Sequence, residues 1–262
     1  MNGTAYLWEP DRYQDFSTPQ FRLGGMAVER LAPAAHERIL EIGSGNGLVT
    51  IELARKIPRG SIVGIEISKE MYLKALKNVE EHSLTNIDLR NMDALDIRFA
   101  GEFDAVFSNS AIHWIEDQRR IYELIFESLK PGGRIMIQTG MKELNRLTDA
   151  FIAMYRSGKY QSFMSGVRIP WKFLTPDETE QLLSGIGFER ISVEAVPYRH
   201  RFDSAEQLSG YLESAALVPF LSILPDDQKA GFKEFVLATY LSLNQGSTDL
   251  SMMRLFISAR RP

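Results

Sequence analysis

Between residues 38 and 140, short aliphatic runs alternate with helical patterns, and that alternation leaves few folds open. RILEIG (38–43), SIVGIEI (61–67), IDLRNMD (87–93), FDAVFSN (103–109) and RIMIQTG (134–140) read as strands. Between them lie LVTIELARKIP, stopped by Pro58 and Gly60, and SKEMYLKALKNVEEHSL, with Ser68 as N-cap and a Glu70–Lys74 helical pair. A helix with Ile121, Leu124, Ile125 and Ser128 on one side follows the fourth strand, and PGG (131–133) reads as the turn into the fifth. Strands this apolar, separated by helices, predict an α/β fold whose parallel sheet is covered on both faces and crossed right-handedly.

The second half is less regular. Residues 142–157 read as helix and 158–174 as loop. In TPDETEQLLSGIGF (175–188), Thr175, Pro176 and Glu178 form a capping-box pattern at a helix start. RISVEAVPY (190–198) alternates as a sixth strand. Helices are expected near 204–216 and from Pro225 to about Leu243, and MRLFISAR (253–260) closes the chain as a strand. No repeat or linker divides the chain, so residues 1–262 are expected to form a single domain.

Composition narrows the chemistry. The absence of cysteine removes disulfides, a thiolate nucleophile and zinc–thiolate sites, and the four histidines show no metal-ligand spacing, so no metal is expected. A formal net charge of −4 gives no pull towards nucleic acid or an anionic membrane. The N-terminus lacks a signal-peptide pattern and no apolar run is long enough to span a bilayer, which points to a soluble, cytoplasmic protein.

The first strand runs into GSGNG, with Gly43, Gly45 and Gly47 at alternate positions. A glycine-rich turn from strand to helix lets a ligand approach the backbone, with the helix N-terminal amides facing it. A dinucleotide fingerprint would need glycine at 48, where leucine stands. Glu66, at the end of the second strand, can accept both hydroxyls of an unphosphorylated ribose. Together they point to an adenosine-type ligand.

LEIGSGNG resembles the E/DxGxGxG motif of the class I S-adenosylmethionine-dependent methyltransferases. GIEISKEM, NMDA, FDAVFSNSAIHW and LKPGGRIMI resemble, in order, that family's segments after strands two and three, at strand four, and into strand five. The resemblance covers about residues 36–140. It implies a Rossmann-like, doubly wound sheet of seven mostly parallel strands with an antiparallel last strand. It also implies a cofactor-binding core at about 30–140, an N-terminal lid at 1–29, and insertions at about 142–174 and 204–245 over the acceptor.

The cofactor so implied is S-adenosylmethionine. The same resemblance implies that Glu41 orients the glycine loop, while Gly43, Ser44, Gly45 and Gly47 pass under the methionine part. Glu66 takes the ribose, Ile67 and Met71 pack on the adenine, Asp93 and the Ala94 amide meet its edge, and Asn109 lies beside the methionyl group. On the residues alone, Met71 reads equally as core filler and Asp93 as a turn cap.

A sulfonium methyl is already electrophilic, so alignment is the main requirement. An amine or phenol acceptor also needs a base, for which His113 is a candidate; a carboxylate needs only hydrogen-bond donors. The HW of SNSAIHW resembles the HW or QW of small-molecule carboxyl methyltransferases acting on trans-aconitate, juvenile hormone acid or malonyl groups on acyl carrier protein. Trp114 and Gln20 are then expected to contact the substrate, and Tyr13 and Gln20 to resemble the segment that closes over the cofactor. Trp8, Tyr13 and Trp114 can also be read as packing aromatics. Trp171, Phe173, Phe202, Tyr211 and Phe220 suit an apolar, medium-sized acceptor, with Arg168, Lys172, Arg199 and Arg201 as candidate carboxylate partners.

The expected activity is methyl transfer to a small molecule, preferably onto a carboxylate oxygen. N- or C-methylation, a nicotinamide oxidoreductase, and a cofactor-binding protein without transferase activity are the alternatives. The sequence specifies neither the acceptor nor an oligomeric state.

Overall fold

The computed structural model describes residues 8–143, 145–164 and 171–262. In chain order its elements are α1 (Pro10–Phe16), α2 (Thr18–Leu31), β1 (Arg38–Ile42), α3 (Leu48–Lys56), β2 (Ser61–Glu66), α4 (Lys69–Glu81), β3 (Ile87–Asn91), β4 (Phe103–Asn109), α5 (Gln118–Ser128) and β5 (Leu129–Gly140). There follow α6 (Arg146–Arg156), α7 (Gln161–Met164), α8 (Pro176–Ile186), β6 (Glu189–Arg201), α9 (Ala205–Tyr211), α10 (Val218–Leu221), α11 (Asp226–Leu243) and β7 (Asp249–Arg260). Among the described residues seven strands form one sheet in the order β3-β2-β1-β4-β5-β7-β6. β1 to β5 run parallel, and β7 is antiparallel to both of its neighbours. This is the expected α/β architecture.

Strand alternation assigns the two faces. Ile39, Ala105, Phe107 and Met136 join Leu23, Val28 and Leu53 of α2 and α3 in one apolar layer. Leu40, Ile42, Val106, Ile135 and Ile137 join Ile121 and Ile125 of α5 and Leu183 of α8 in the other. A third cluster, with Met154, Phe220, Phe232, Val236 and Tyr240, belongs to the segments after β5 and is built apart from the sheet layers.

Several boundaries differ from the sequence reading. PGG is not a separate turn but lies inside β5: Gly132 is left-handed (φ 79°) and the register against β4 shifts, so one strand bends and continues. β6 and β7 extend beyond 190–198 and 253–260 because they pair with each other from Arg201↔Asp249 to Glu189↔Arg260. The span read as loop contains α7. The Thr175 capping box forms as expected, with Glu178 reaching back to the Thr175 amide.

The N-terminal segment divides into two parts. α2 is a layer of the sheet, while α1 lies between the core and the later segments. Asp11 pairs with Lys74 of α4 at 2.6 Å, and Arg12 pairs with Glu213 at 2.8 Å. Gln14 accepts from Asn78 at 3.0 Å. The Phe16 ring lies so close to Gly210 of α9 that an added Cβ would come within 2.5 Å of it. Among the described residues no helix is long and apolar enough to cross a membrane.

Gly210→Ala should therefore loosen α1 from α9. We expect a stability loss of about 1–3 kcal/mol, typical of overpacking, and faster proteolytic cleavage around residues 8–17. Unchanged melting and cleavage would show that the Phe16 ring yields without cost.

Candidate active site

β1, β2 and β4 end at the same edge of the sheet because they are parallel and in register, Ile42 beside Ile65 and Ser108. The loops that leave them therefore converge. Gly43, Gly45 and Gly47 all have left-handed backbones (φ 76°, 56° and 81°), a conformation that side chains with a Cβ rarely adopt. A Cβ on Gly43 would meet Ala111 at 2.2 Å, and one on Gly47 would meet Ala75 at 3.1 Å, whereas one on Gly45 meets only the Met71 methyl at 3.7 Å. Two glycines thus permit close packing, and the middle one leaves the backbone open.

Glu66 fixes the loop in place. Its carboxylate accepts from the Gly45 amide at 2.9 Å and from the Ser68 amide at 2.8 Å. Burial raises its pKa, and the Ser68, Gly45 and Ile67 amides pull it back down. Asn78 donates to the Asn46 carbonyl at 2.8 Å, tying the loop to α4 as well. Ile67 stays exposed and Met71 is buried. Asp93 does cap the short helical turn at 94–96, accepting from the Leu95 amide at 2.9 Å, and Ala94 is buried beside it.

Beneath α1 and beside the loop is a small hole of about 40 Å³ lined by Tyr13, Gln20, Glu41, Ser44, Gly45 and Asn109, among others. Four buried oxygens there lack any hydrogen-bond partner: Gln20 Oε1, Glu41 Oε2, Ser44 Oγ and Asn109 Oδ1. Such atoms are costly to leave unpaired. Burial pushes the Glu41 carboxyl up to about 7, the Thr50 hydroxyl pulling it down and the Glu66 charge adding to the rise. A ring of acceptors around one hole fits a cationic donor group such as an amino acid's ammonium. The bare Gly45 backbone and the Glu66 carboxylate lie next to this hole and extend it into a cradle of polar groups.

A second, larger cavity of about 580 Å³ opens beyond Tyr13 and Gln20. His113 and Trp114 line it, and Trp114 stands 5.3 Å from Trp8 and 6.0 Å from Trp171, ring centre to ring centre. The His113 ring stacks on Phe173 at 5.0 Å, and its Nδ1 lies 3.0 Å from the Thr139 hydroxyl. Burial, aided by the Arg254 charge, lowers its pKa well below the usual histidine value. Gln20 donates to the Tyr211 hydroxyl at 3.4 Å, and its carbonyl accepts from Asn109 at 3.0 Å. The structure thus gathers Tyr13, Gln20, His113 and Trp114 around one chamber.

The insertions contribute Trp171, Phe173, Tyr211 and Phe220 to this chamber, but Phe202 is buried in the third cluster instead. Arg199 and Arg201 pair with Asp249, Lys172 is exposed, and Arg168 lies outside the described residues. Lys142, Arg156 and Arg254 are the cations along the wall, and sequence reading passed over all three; Arg254 of β7 lies beside Ser110. MRLFISAR carries no local sign that its arginine turns inward. Ser110 offered a weak signal, since it follows Asn109 directly, and its left-handed backbone (φ 55°) marks it out.

The family model described as a methyltransferase domain matches residues 33–168. A trans-aconitate 2-methyltransferase of Deinococcus radiodurans is 28% identical over 234 residues, covering 86% of each chain. Among solved structures, the YcgJ protein of Bacillus subtilis superimposes with a TM-score of 0.66 at 16% identity, covering 92% of this chain and 98% of that one. Phosphoethanolamine N-methyltransferase 2 of Haemonchus contortus, solved with phosphomonomethylethanolamine and S-adenosylhomocysteine, gives 0.62 at 20% identity, covering 92% of this chain and 52% of that one.

Glu41 gives the site a pH signature. Its raised pKa means that the folded chain holds a proton that the unfolded chain releases, so ionisation between pH 4.5 and about 7 costs stability. Glu41→Gln should melt higher than the parent at pH 8, by on the order of 3 kcal/mol at most, with the advantage gone near pH 5. An equal gain at both pH values would remove the assignment.

Proposed function

From the premise that the chain belongs to the methyltransferase domain family, we propose that it transfers a methyl group from S-adenosylmethionine to a carboxylate oxygen of a small molecule. The residues that would hold the donor are those of the cradle. Glu66 and the exposed Ile67 face the nucleoside side, Gly45 presents bare backbone, and Glu41, Ser44, Asn109 and Gln20 surround the hole suited to the amino-acid end. When bound, the donor supplies a methyl carbon already activated by its sulfonium. An acceptor carboxylate forms the new O–C bond as the C–S bond breaks, its electrons pass to sulfur, and no proton moves.

The observation that carries the carboxylate reading is the state of His113. Buried against Phe173 and engaged at Nδ1 by Thr139, it has a depressed proton affinity and is a poor base. An amine or phenol needs such a base; a carboxylate, with a reference pKa near 4, does not. Glu143, a carboxylate along the chamber, accepts from the Met253 amide at 2.7 Å and from the Asn145 side chain at 2.9 Å. The trans-aconitate relative supports the same acceptor chemistry. Trp114, Trp8 and Tyr13 would exclude water above the reacting groups.

Incubation with methyl-labelled donor and a panel of acids, amines and phenols should give a base-labile methyl ester. His113→Gln should stay within about threefold of the parent rate from pH 6 to 9, since base catalysis is commonly worth 100-fold or more. A collapse in rate that recovers at high pH would make His113 a base and turn the assignment to another acceptor.

A further inference from the structure

Arg254 is held in the chamber wall without an ion pair among the described residues, the Glu143 carboxylate acting on it only through its field. It stands on β7 between Gly140 of β5 and Val196 of β6. Its Nη2 donates to the Ser110 hydroxyl at 2.9 Å and to Gln138 Oε1 at 3.3 Å. Its Nε is buried and has no partner. Among the described residues no carboxylate pairs with it, whereas Arg134 is bridged to Glu37 and Arg199 to Asp249. The nearby Glu143 is bound to a backbone amide and an asparagine instead. Ser110, in a strained left-handed conformation, also donates to Gln138, so three neighbouring strands hold the guanidinium in place. A desolvated guanidinium that forms no ion pair is costly, and a carboxylate brought directly against it offsets that cost.

Much of the chamber around that charge is apolar, with Lys142, Glu143 and Arg156 also along its wall. Leu147, Phe151, Met154, Trp171, Phe173 and Phe220 form much of its wall, and its volume of about 580 Å³ exceeds what a compact polyacid fills. We infer that Arg254 is the specificity-determining residue of the acceptor pocket, seating the carboxylate of an acid whose hydrocarbon or aryl body lies along Phe151, Trp171 and Phe220. This rests on the carboxylate reading above. Methylation removes the charge that Arg254 recognises, so the ester loses its anchor and leaves. The residue acts on binding of the acid more than on the transition state, where that charge is already being neutralised, so its loss falls on KM.

The test measures binding apart from turnover. Protein saturated with S-adenosylhomocysteine is titrated with hexanoate, octanoate, decanoate, trans-aconitate and methyl decanoate, following fluorescence of Trp8, Trp114 and Trp171. Affinity should rise about three- to fourfold per methylene, and decanoate should bind more tightly than trans-aconitate. Arg254→Gln should weaken decanoate at least about tenfold, Arg254→Lys less so, and neither should change methyl decanoate. Equal affinity along the chain series in the parent protein, tighter trans-aconitate binding, or an Arg254→Gln variant of unchanged melting and unchanged decanoate affinity would each overturn the inference. With labelled donor the two readings separate. Esters formed with the same KM by parent and Arg254→Gln would refute the role of Arg254 and leave carboxylate methylation standing. Arg254-dependent binding without any ester would uphold the acid-binding site and refute carboxylate methylation.

Discussion

Two backbone amides converge on the Glu66 carboxylate, one from the glycine loop and one from the start of α4. The contact joins the ends of β1 and β2, and the cradle depends on it. It works because β1 and β2 are parallel and in register, which puts residue 45 and residue 66 at the same edge of the sheet. A carboxylate buried between amides is held mainly by charge-assisted hydrogen bonds. Replacing it would free the glycine loop from the start of α4, because both amides lose the same acceptor.

Around this contact the chain gathers several of its buried polar groups. Glu41, Ser44 and Asn109 carry unpaired buried oxygens, His113 is kept uncharged, and Arg254 is kept charged without a carboxylate. They lie around two adjoining cavities at the same edge of the sheet. Departures from local consistency that cluster in this way are expected where a structure is shaped for ligands rather than for stability.

Much of this was legible beforehand because it is written in local patterns. Strand and helix periods, the GSGNG spacing, Glu66 at the end of the second strand and the Thr175 capping box each reflect local pattern, and each has a structural counterpart. What escaped depends on tertiary register. Arg254 faces the chamber because β7 is inserted antiparallel between β5 and β6, and no feature of MRLFISAR encodes that neighbour. Arg199 and Arg201 looked equally promising, but both turn to Asp249. α2 was placed with the covering segment, yet its Leu23, Val28 and Leu31 pack into a sheet layer. The PGG bend was visible as glycine chemistry, while its absorption into β5 followed from pairing with β4 and β7.

The third apolar cluster is assembled from segments after β5 and shares none of its buried members with the two sheet layers. The sheet beneath the glycine loop and the later helices are thereby packed on different sets of buried residues. Exchanges among Phe220, Phe232 and Tyr240 fall in a cluster whose buried members are distinct from those under the glycine loop.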